Sequence, residues 1–165
     1  SRVSRGLGDV YKRQDQFITE LTMPKLGPER SKWLYPIGSI LKTGAVVAFG
    51  SDWFVTSGNP MLGIETAITR KDPLTNQSDD FLMHERINLA DAIAAYTING
   101  AYVNFMENDA GSIEVDKYAD LIVIDRNLFK IPETEISEAN VVLTLLDGEL
   151  VYGDWDMKVL KKTAL

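Results

Sequence analysis

The sequence predicts an α/β fold, of the kind found in an α/β barrel or a doubly wound sheet, followed by a small β unit. Residues 45–49 form a continuous apolar run of strand length without polar alternation, which is typical of a parallel strand covered on both faces. Helix signals lie on both sides of this run, so the order is helix, strand, loop, helix. From Gly111 onward the sequence changes to short β-forming runs, and we therefore expect a boundary near residue 108.

Composition excludes several classes of function. The chain has 165 residues, of which 45% are hydrophobic, so it can bury a core of about one domain. Its formal net charge of -7 would repel a phosphate backbone, so no nucleic-acid partner is expected. No apolar run approaches the roughly 18 residues of a membrane span, and the lack of cysteine excludes disulfides and thiolate metal sites. We predict a soluble, cytoplasmic protein, unless a signal peptide precedes this sequence.

The first residues do not resemble a natural protein segment. Residues 4–14, SRGLGDVYKRQ, resemble the translation of a DNA-sequencing adapter. They have mixed charges and no hydrophobic period, and they lack the apolar region of a signal peptide. Residues 1–14 are therefore expected to lie outside the fold, and the chain is expected to be the C-terminal part of a longer protein.

The helices around the strand have recognisable starts and ends. Pro28 and Pro36 suit first-turn positions, and Gly44 suits the left-handed residue that ends a helix. After the strand, Asn59 is a predicted N-cap and Pro60 the first helical residue. The apolar face of this helix consists of Met61, Ile64, Ala67 and Ile68, which recur at helical spacing.

A polar connection at residues 71–87 has the length of a lid or binding loop. Asn88 then caps another helix, with Asp91 in capping-box position. The pair Asn99-Gly100 is expected to divide this stretch into two helices.

The β unit is predicted from three segments. Residues 113–115 and 121–125 are expected to be strands. Residues 140–153 are expected to form a hairpin, because Asp147-Gly148 suits a type I′ turn that needs positive φ at both positions.

The apolar strand runs through Gly50 and Ser51 into an acid, Asp52, which Trp53 follows at once. An aspartate after a strand often only caps a turn. Active sites of parallel α/β folds, however, lie at the carboxyl ends of strands, where Asp52 would lie. The glycine and serine permit close approach, and Trp53 offers a large face to a substrate. We therefore favour a catalytic role for Asp52 over a capping one.

Five colinear segments carry a family resemblance: YPIGSILKTGAVVAFGSDW, NPMLGIETAITRKDP, ERINLADAIAAYTINGAY, GSIEVDKYADLIVIDRN and LLDGELVYG. From residue 21 to residue 153 the sequence resembles the C-terminal third of the metal-dependent amidohydrolases, in the N-substituted formamide deformylase branch (amidohydrolase family 3). GSDW alone would be a weak signal. Gly-Ser-Ile followed by Lys-x-Ala-Asp-Leu-x-Val-x-Asp, within residues 111–125, is specific to the closing segment of that superfamily.

This resemblance implies a (β/α)8 barrel of the TIM type with a small β-sandwich-like domain. Residues 15–107 would be the last part of the barrel, including its final strand. Residues 108–157 would be part of the β domain, and residues 158–165 a tail. The full-length protein is compatible with a homo-oligomer.

Asp52 matches the catalytic acid at the end of the eighth barrel strand of the family. The resemblance implies that Asp52 contacts a divalent metal, zinc in the first place, or the water bound to it. Asp52 would deprotonate that water for attack on a small amide-type substrate and then pass the proton to the leaving nitrogen.

Most metal ligands of the family have no counterpart in this sequence. His84 is the single histidine, whereas a catalytic zinc generally has three protein ligands, often histidines. His84 is expected to be solvated or to face the substrate, since its matching family position is not a metal ligand. Trp53 is either a wall of the substrate pocket or a plug at the barrel rim, and we favour the pocket. A barrel of this class needs about 250 residues, so the chain is expected to be inactive by itself.

Two functions of different classes stay open. The first is a metal-dependent hydrolase of carbon–nitrogen bonds. The second is a non-catalytic structural or assembly module derived from the same fold. A His-x-His pair after an apolar strand, far upstream in the complete gene, would favour the enzyme.

The remaining acids are interpreted as structural. Asp79, Asp80 and Glu85 are expected to form a solvated loop face, although Glu85 also suits a contact that fixes the helix after it. Asp120 and Asp125 bracket an apolar strand, where acids usually serve turns and protect strand edges.

Overall fold

The structure, a computed structural model, describes residues 2–6, 21–54, 56–74 and 82–155. In chain order these residues form β1 (Arg2–Gly6), α1 (Met23–Leu26), α2 (Pro28–Ser31), α3 (Ile37–Lys42), β2 (Val46–Gly50), α4 (Pro60–Thr69), α5 (Leu89–Tyr96), α6 (Ile98–Val103), β3 (Leu121–Ile124), β4 (Val141–Leu146) and β5 (Glu149–Gly153). Two 3-10 helices, Met83–Glu85 and Glu133–Glu138, lie in the connections. The longest described helix, α4, has ten residues, and none of the described helices is long and apolar enough to cross a membrane.

Strand β2 confirms the apolar strand that the sequence predicts. Val47, Ala48 and Phe49 are buried, and β2 pairs in parallel with β1, where Val3 lies opposite Val47. The sequence predicts that residues 1–14 lie outside the fold. The backbone of residues 2–6 instead pairs with β2. This pairing is possible because the open N–H and C=O groups of a strand edge can pair with any extended segment.

The predicted helix starts at Asn59 and Asn88 are confirmed. The Asn59 side chain accepts a hydrogen bond from the Met61 backbone N–H at 3.0 Å, which caps α4. The Asn88 side chain accepts one from the Asp91 N–H at 2.8 Å and donates its amide to the Asp91 carboxylate at 2.8 Å. Each cap satisfies a donor that the first helical turn leaves open.

The break after α5 falls at Thr97 and not at the predicted Asn99-Gly100. Thr97 has non-helical dihedral angles, φ -121° and ψ -99°, and both predicted breaker residues lie inside α6. The amide of Asn99 donates to the Val47 carbonyl of β2 at 2.9 Å. This contact between α6 and β2 offsets the weak helix propensity of Asn99, which a local sequence signal does not anticipate.

A three-stranded antiparallel sheet, in the order β3-β4-β5, forms the β unit. The hairpin prediction is confirmed, because Asp147 and Gly148 both have positive φ, 50° and 80°. The predicted strand at residues 113–115 is wrong. Ile113 and Val115 are 86% and 90% exposed, so their apolar side chains have no sheet face to cover.

One apolar core crosses the predicted boundary near residue 108. Buried side chains of β2, α4 and α5 pack together with Leu128, Ile136 and Ala139 from the β unit. Ile136 is fully buried. The 3-10 helix that carries it therefore links the β unit to α4.

A buried carboxylate completes this link. Glu65 of α4 is 1% exposed, and it accepts a hydrogen bond from the Ser137 backbone N–H at 2.7 Å. Burial raises the pKa of Glu65; the hydrogen bonds from Ser137 act against this rise and the charge of Glu138 adds to it. On the same 3-10 helix, Glu133 binds the Arg86 guanidinium at 2.5 Å.

Glu65→Gln should therefore raise thermal stability at neutral pH, because the amide oxygen still accepts from Ser137 while the buried charge is removed. A raised folded-state pKa means that the wild type gains stability as the pH falls. The advantage of the variant should thus shrink as the pH approaches the usual glutamate value of about 4.3. Thermal unfolding between pH 4 and pH 8 measures the difference. Glu135→Gln, at an exposed position of the same 3-10 helix, is the control, and an equal effect of both variants would contradict the explanation.

Candidate functional site

Asp52 lies in an exposed turn directly after the carboxyl end of β2. Its φ is +50°, a left-handed conformation that aspartate tolerates better than most residues. The chain then returns to a buried residue, Thr56, whose hydroxyl donates to the Ser51 carbonyl. The carboxylate therefore stands at the end of the strand where α/β folds carry active sites, the position that the sequence predicts.

Trp53 extends the exposed surface beside Asp52. Its side chain is 74% exposed, and the ring edge lies close to Gly58, where a Cβ would be 3.7 Å from Trp53 Cε3. Phe54 is also exposed. An aromatic face is thus available next to the acid, and substrate contact by Trp53 stays a prediction.

His84 lies in the 3-10 helix Met83–Glu85 and is exposed. Its Nε2 lies 3.3 Å from the Lys32 carbonyl oxygen and 3.5 Å from Glu85 Oε1. These contacts lead toward the segment before β2, whereas Asp52 follows β2. The structure therefore does not join His84 to Asp52 through these contacts, and a substrate role for His84 stays a prediction.

The prediction of a solvated Glu85 is wrong. Glu85 is 1% exposed, and its two carboxylate oxygens accept from the Ser39 backbone N–H at 2.7 Å and the Ser39 hydroxyl at 2.5 Å. It therefore holds α3, which precedes β2, and not the helix after it. A Cβ on Gly38 would lie 3.1 Å from the Glu85 backbone, so a side chain at this position would crowd the close approach of α3 to Glu85. No local signal in the polar segment indicates such burial.

Opposing effects act on the charge of Glu85. Burial alone would raise the pKa of Glu85, but the hydrogen bonds from Ser39 and the charges of His84 and Arg70 more than offset it, so the pKa lies below its usual value. Arg70 is itself fully buried at the end of α4. Its burial lowers the pKa of the guanidinium to about 10, although the charge of Glu85 acts in the opposite direction. Glu85 thus connects α3, through Ser39, with the residue that ends α4, Arg70.

Two other acids have the structural roles that the sequence predicts. Asp120 accepts from the Asp147 backbone N–H of the hairpin turn at 2.8 Å. Asp125 accepts from both the backbone and the side chain of Asn140 at 3.0 Å. Asp79 and Asp80 lie outside the described residues.

A cavity of about 840 Å³ opens beside the end of β2, between α4, α5, α6 and β3. Its walls are mainly apolar and include Phe49 and Tyr96, whose rings meet edge to face at a centroid distance of 5.4 Å. Ser51 belongs to the wall, whereas Asp52 does not. Asp52 thus follows a residue of the cavity wall in the chain but does not itself line the cavity.

The described residues do not complete a metal site. Among them, no group of three or more histidine, cysteine, aspartate or glutamate side chains is placed to hold a metal ion. Asp52 is a chemically suitable ligand, but a catalytic zinc generally takes three from the protein. The donor set of this part of the chain therefore does not by itself fit the ion that the family resemblance implies.

A parallel strand that ends in an exposed carboxylate turn, between helices, is the arrangement in which α/β enzymes carry their active sites. Residues 14–152 match the model of the amidohydrolase family. The chain belongs to that family, as the sequence predicts.

Three comparisons illustrate the relationship. The chain is 35% identical to Protein LONG AFTER FAR-RED 3 of Arabidopsis thaliana, over 78% of this chain and 22% of that protein. It is 32% identical to N-substituted formamide deformylase of Arthrobacter pascens, over 72% of this chain and 21% of that protein. Its fold resembles an uncharacterized metal-dependent hydrolase from Pyrococcus horikoshii OT3, with a TM-score of 0.65 and 24% identity, over 80% of this chain and 26% of the other.

The predicted α/β fold class, as part of an amidohydrolase fold, is confirmed by this likeness. The matched part of the chain spans between about a fifth and a quarter of the length of each of these proteins.

Proposed function

We propose that the protein hydrolyses a carbon–nitrogen bond of a small, non-peptide, amide-type molecule, with Asp52 as the group that transfers the proton. The observation that carries this proposal is the position of Asp52, exposed in a left-handed turn at the carboxyl end of β2, in a chain of the amidohydrolase family. The formamide deformylase among its relatives supports the substrate class.

The chemistry asked of Asp52 is proton transfer. Its carboxylate accepts a proton from the attacking water while the water oxygen bonds to the carbonyl carbon. The proton then passes from Asp52 to the leaving nitrogen as the carbon–nitrogen bond breaks. Trp53 would contact the substrate beside the acid. His84 is the weaker candidate for this contact, because its recorded contacts lie with Lys32 and Glu85.

The proposal includes a divalent metal ion, with zinc as the first candidate, which the longer protein would bind. The described residues supply Asp52 toward it and lack the further ligands. We therefore place the activity in a complete protein of which this chain is one part, and we expect the 165-residue chain alone to be inactive. No nucleic-acid or membrane partner is proposed, and a homo-oligomer of the complete protein is compatible with the proposal.

A non-catalytic structural or assembly module is the second candidate. It is favoured by the incomplete donor set that the described residues place around Asp52. The complete gene separates the two, because only the hydrolase needs an upstream His-x-His pair after an apolar strand.

The proposed function is tested by expressing the complete protein and measuring amine release from N-substituted formamides and simple amides. Turnover of at least one of these compounds, absent from a mock preparation, supports the hydrolase. A complete protein without the His-x-His pair and without turnover would overturn it in favour of the module.

A zinc titration of the 165-residue chain tests the metal assignment separately. We expect no tight stoichiometric binding at neutral pH, because the described residues offer Asp52 without further clustered ligands. Isothermal titration calorimetry measures this directly. Micromolar or tighter binding that is lost in His84→Ala would show that His84 is a ligand after all.

A further inference from the structure

Thr56 is buried at the base of an exposed turn. Its side chain is 2% exposed, whereas Trp53 and Phe54 are 74% and 85% exposed. The Thr56 hydroxyl donates to the carbonyl oxygen of Ser51. The hydrogen bond therefore closes the turn that presents Asp52.

The acceptor of this bond belongs to the peptide group that joins Ser51 to Asp52. Because a peptide group is planar, fixing its carbonyl oxygen also fixes the plane that contains the Asp52 nitrogen. The φ angle of Asp52 is the rotation about its N–Cα bond, and it sets the direction of the Asp52 side chain relative to this plane. That angle is +50°, a conformation that a residue other than glycine keeps when its surroundings hold it there.

We propose that Thr56 is a positioning residue for the Asp52 carboxylate. This inference rests on the proposed function, since it assigns Thr56 a role through Asp52. Without the hydroxyl donor, the peptide plane before Asp52 can rotate, and the carboxylate then leaves the direction in which it meets the attacking water. Substrate binding is not expected to depend on Thr56, because its side chain is buried and does not line the exposed surface.

Two variants of the complete enzyme test this role. Thr56→Val keeps the shape of the side chain and removes the donor, while Thr56→Ser keeps the donor. We expect kcat of Thr56→Val to fall by about tenfold to a hundredfold, the cost of a misplaced catalytic group, with KM unchanged. Thr56→Ser should recover most of kcat.

Thr66→Val is the matched control. Thr66 is also fully buried and donates its hydroxyl to a backbone carbonyl, that of Leu62 at 2.9 Å. It lies inside α4, away from the Asp52 turn, so its loss should lower thermal stability without lowering kcat.

The outcomes separate this inference from the proposed function. If Asp52→Asn is inactive and Thr56→Val loses kcat while Thr56→Ser and Thr66→Val do not, the positioning role is supported. If Asp52→Asn is inactive but Thr56→Val matches Thr66→Val in kcat, the positioning role is overturned and the proposed function stands. If Asp52→Asn is active, the role of Asp52 fails and the inference fails with it.

Discussion

Asp52→Asn in the complete protein should lower kcat by about a hundredfold to ten-thousandfold, the usual contribution of general acid–base catalysis. The amide cannot accept the proton from the attacking water. It has nearly the same shape as the carboxylate, and asparagine tolerates a φ of +50° as aspartate does. The variant should therefore fold normally. Steady-state kinetics at saturating substrate measure the loss, and thermal unfolding checks the fold.

Asp116→Asn is the control for this prediction. Asp116 is likewise an exposed aspartate with positive φ, +70°, but it lies in the connection before β3. The same chemical change there should leave kcat intact. Near-normal turnover of Asp52→Asn would show that another group moves the proton.

The elements that the sequence predicts correctly are those with signals inside a few neighbouring residues. Strand β2 follows from one uninterrupted apolar run. The start of α4 follows from Asn59 and Pro60, whose cap and first-turn roles are local. The β4–β5 hairpin follows from Asp147-Gly148, because the turn type requires those backbone angles.

The misplaced elements depend on contacts between distant residues. The helix break lies at Thr97, and Asn99 sits in α6 with its amide on Val47, 52 positions away. The apolar residues Ile113 and Val115 have strand-forming side chains, yet none of the described strands pairs with them. Propensity supplies the preference in both cases, and tertiary contacts decide the outcome.

The residues of the candidate site show the same difference between local sequence signals and contacts between distant residues. The position of Asp52 follows from its place after β2, because α/β folds carry their active sites at the carboxyl ends of parallel strands. Thr56 carries no such signal, since in the sequence a hydroxyl that closes a turn resembles any polar loop residue. The burial of Glu85 has no local signal, because its partner Ser39 lies 46 positions earlier in the chain.

Glu85→Ala should lower the free energy of opening of α3 by about 3 kcal/mol. The substitution leaves the half-buried N–H and hydroxyl of Ser39 without their acceptor and removes a negative charge that acts on buried Arg70. Because the folded-state pKa of Glu85 is lowered, its stabilisation is present above the usual value of about 4.3 and is lost as the pH falls below it. Hydrogen exchange of peptides covering α3 and α4 at pH 7 measures the opening free energy. Glu29→Ala, which removes an exposed ion pair with Lys32, should cost no more than about 0.5 kcal/mol. Equal exchange in the two variants would mean that the hydrogen bonds from Ser39 to Glu85 do not stabilise α3.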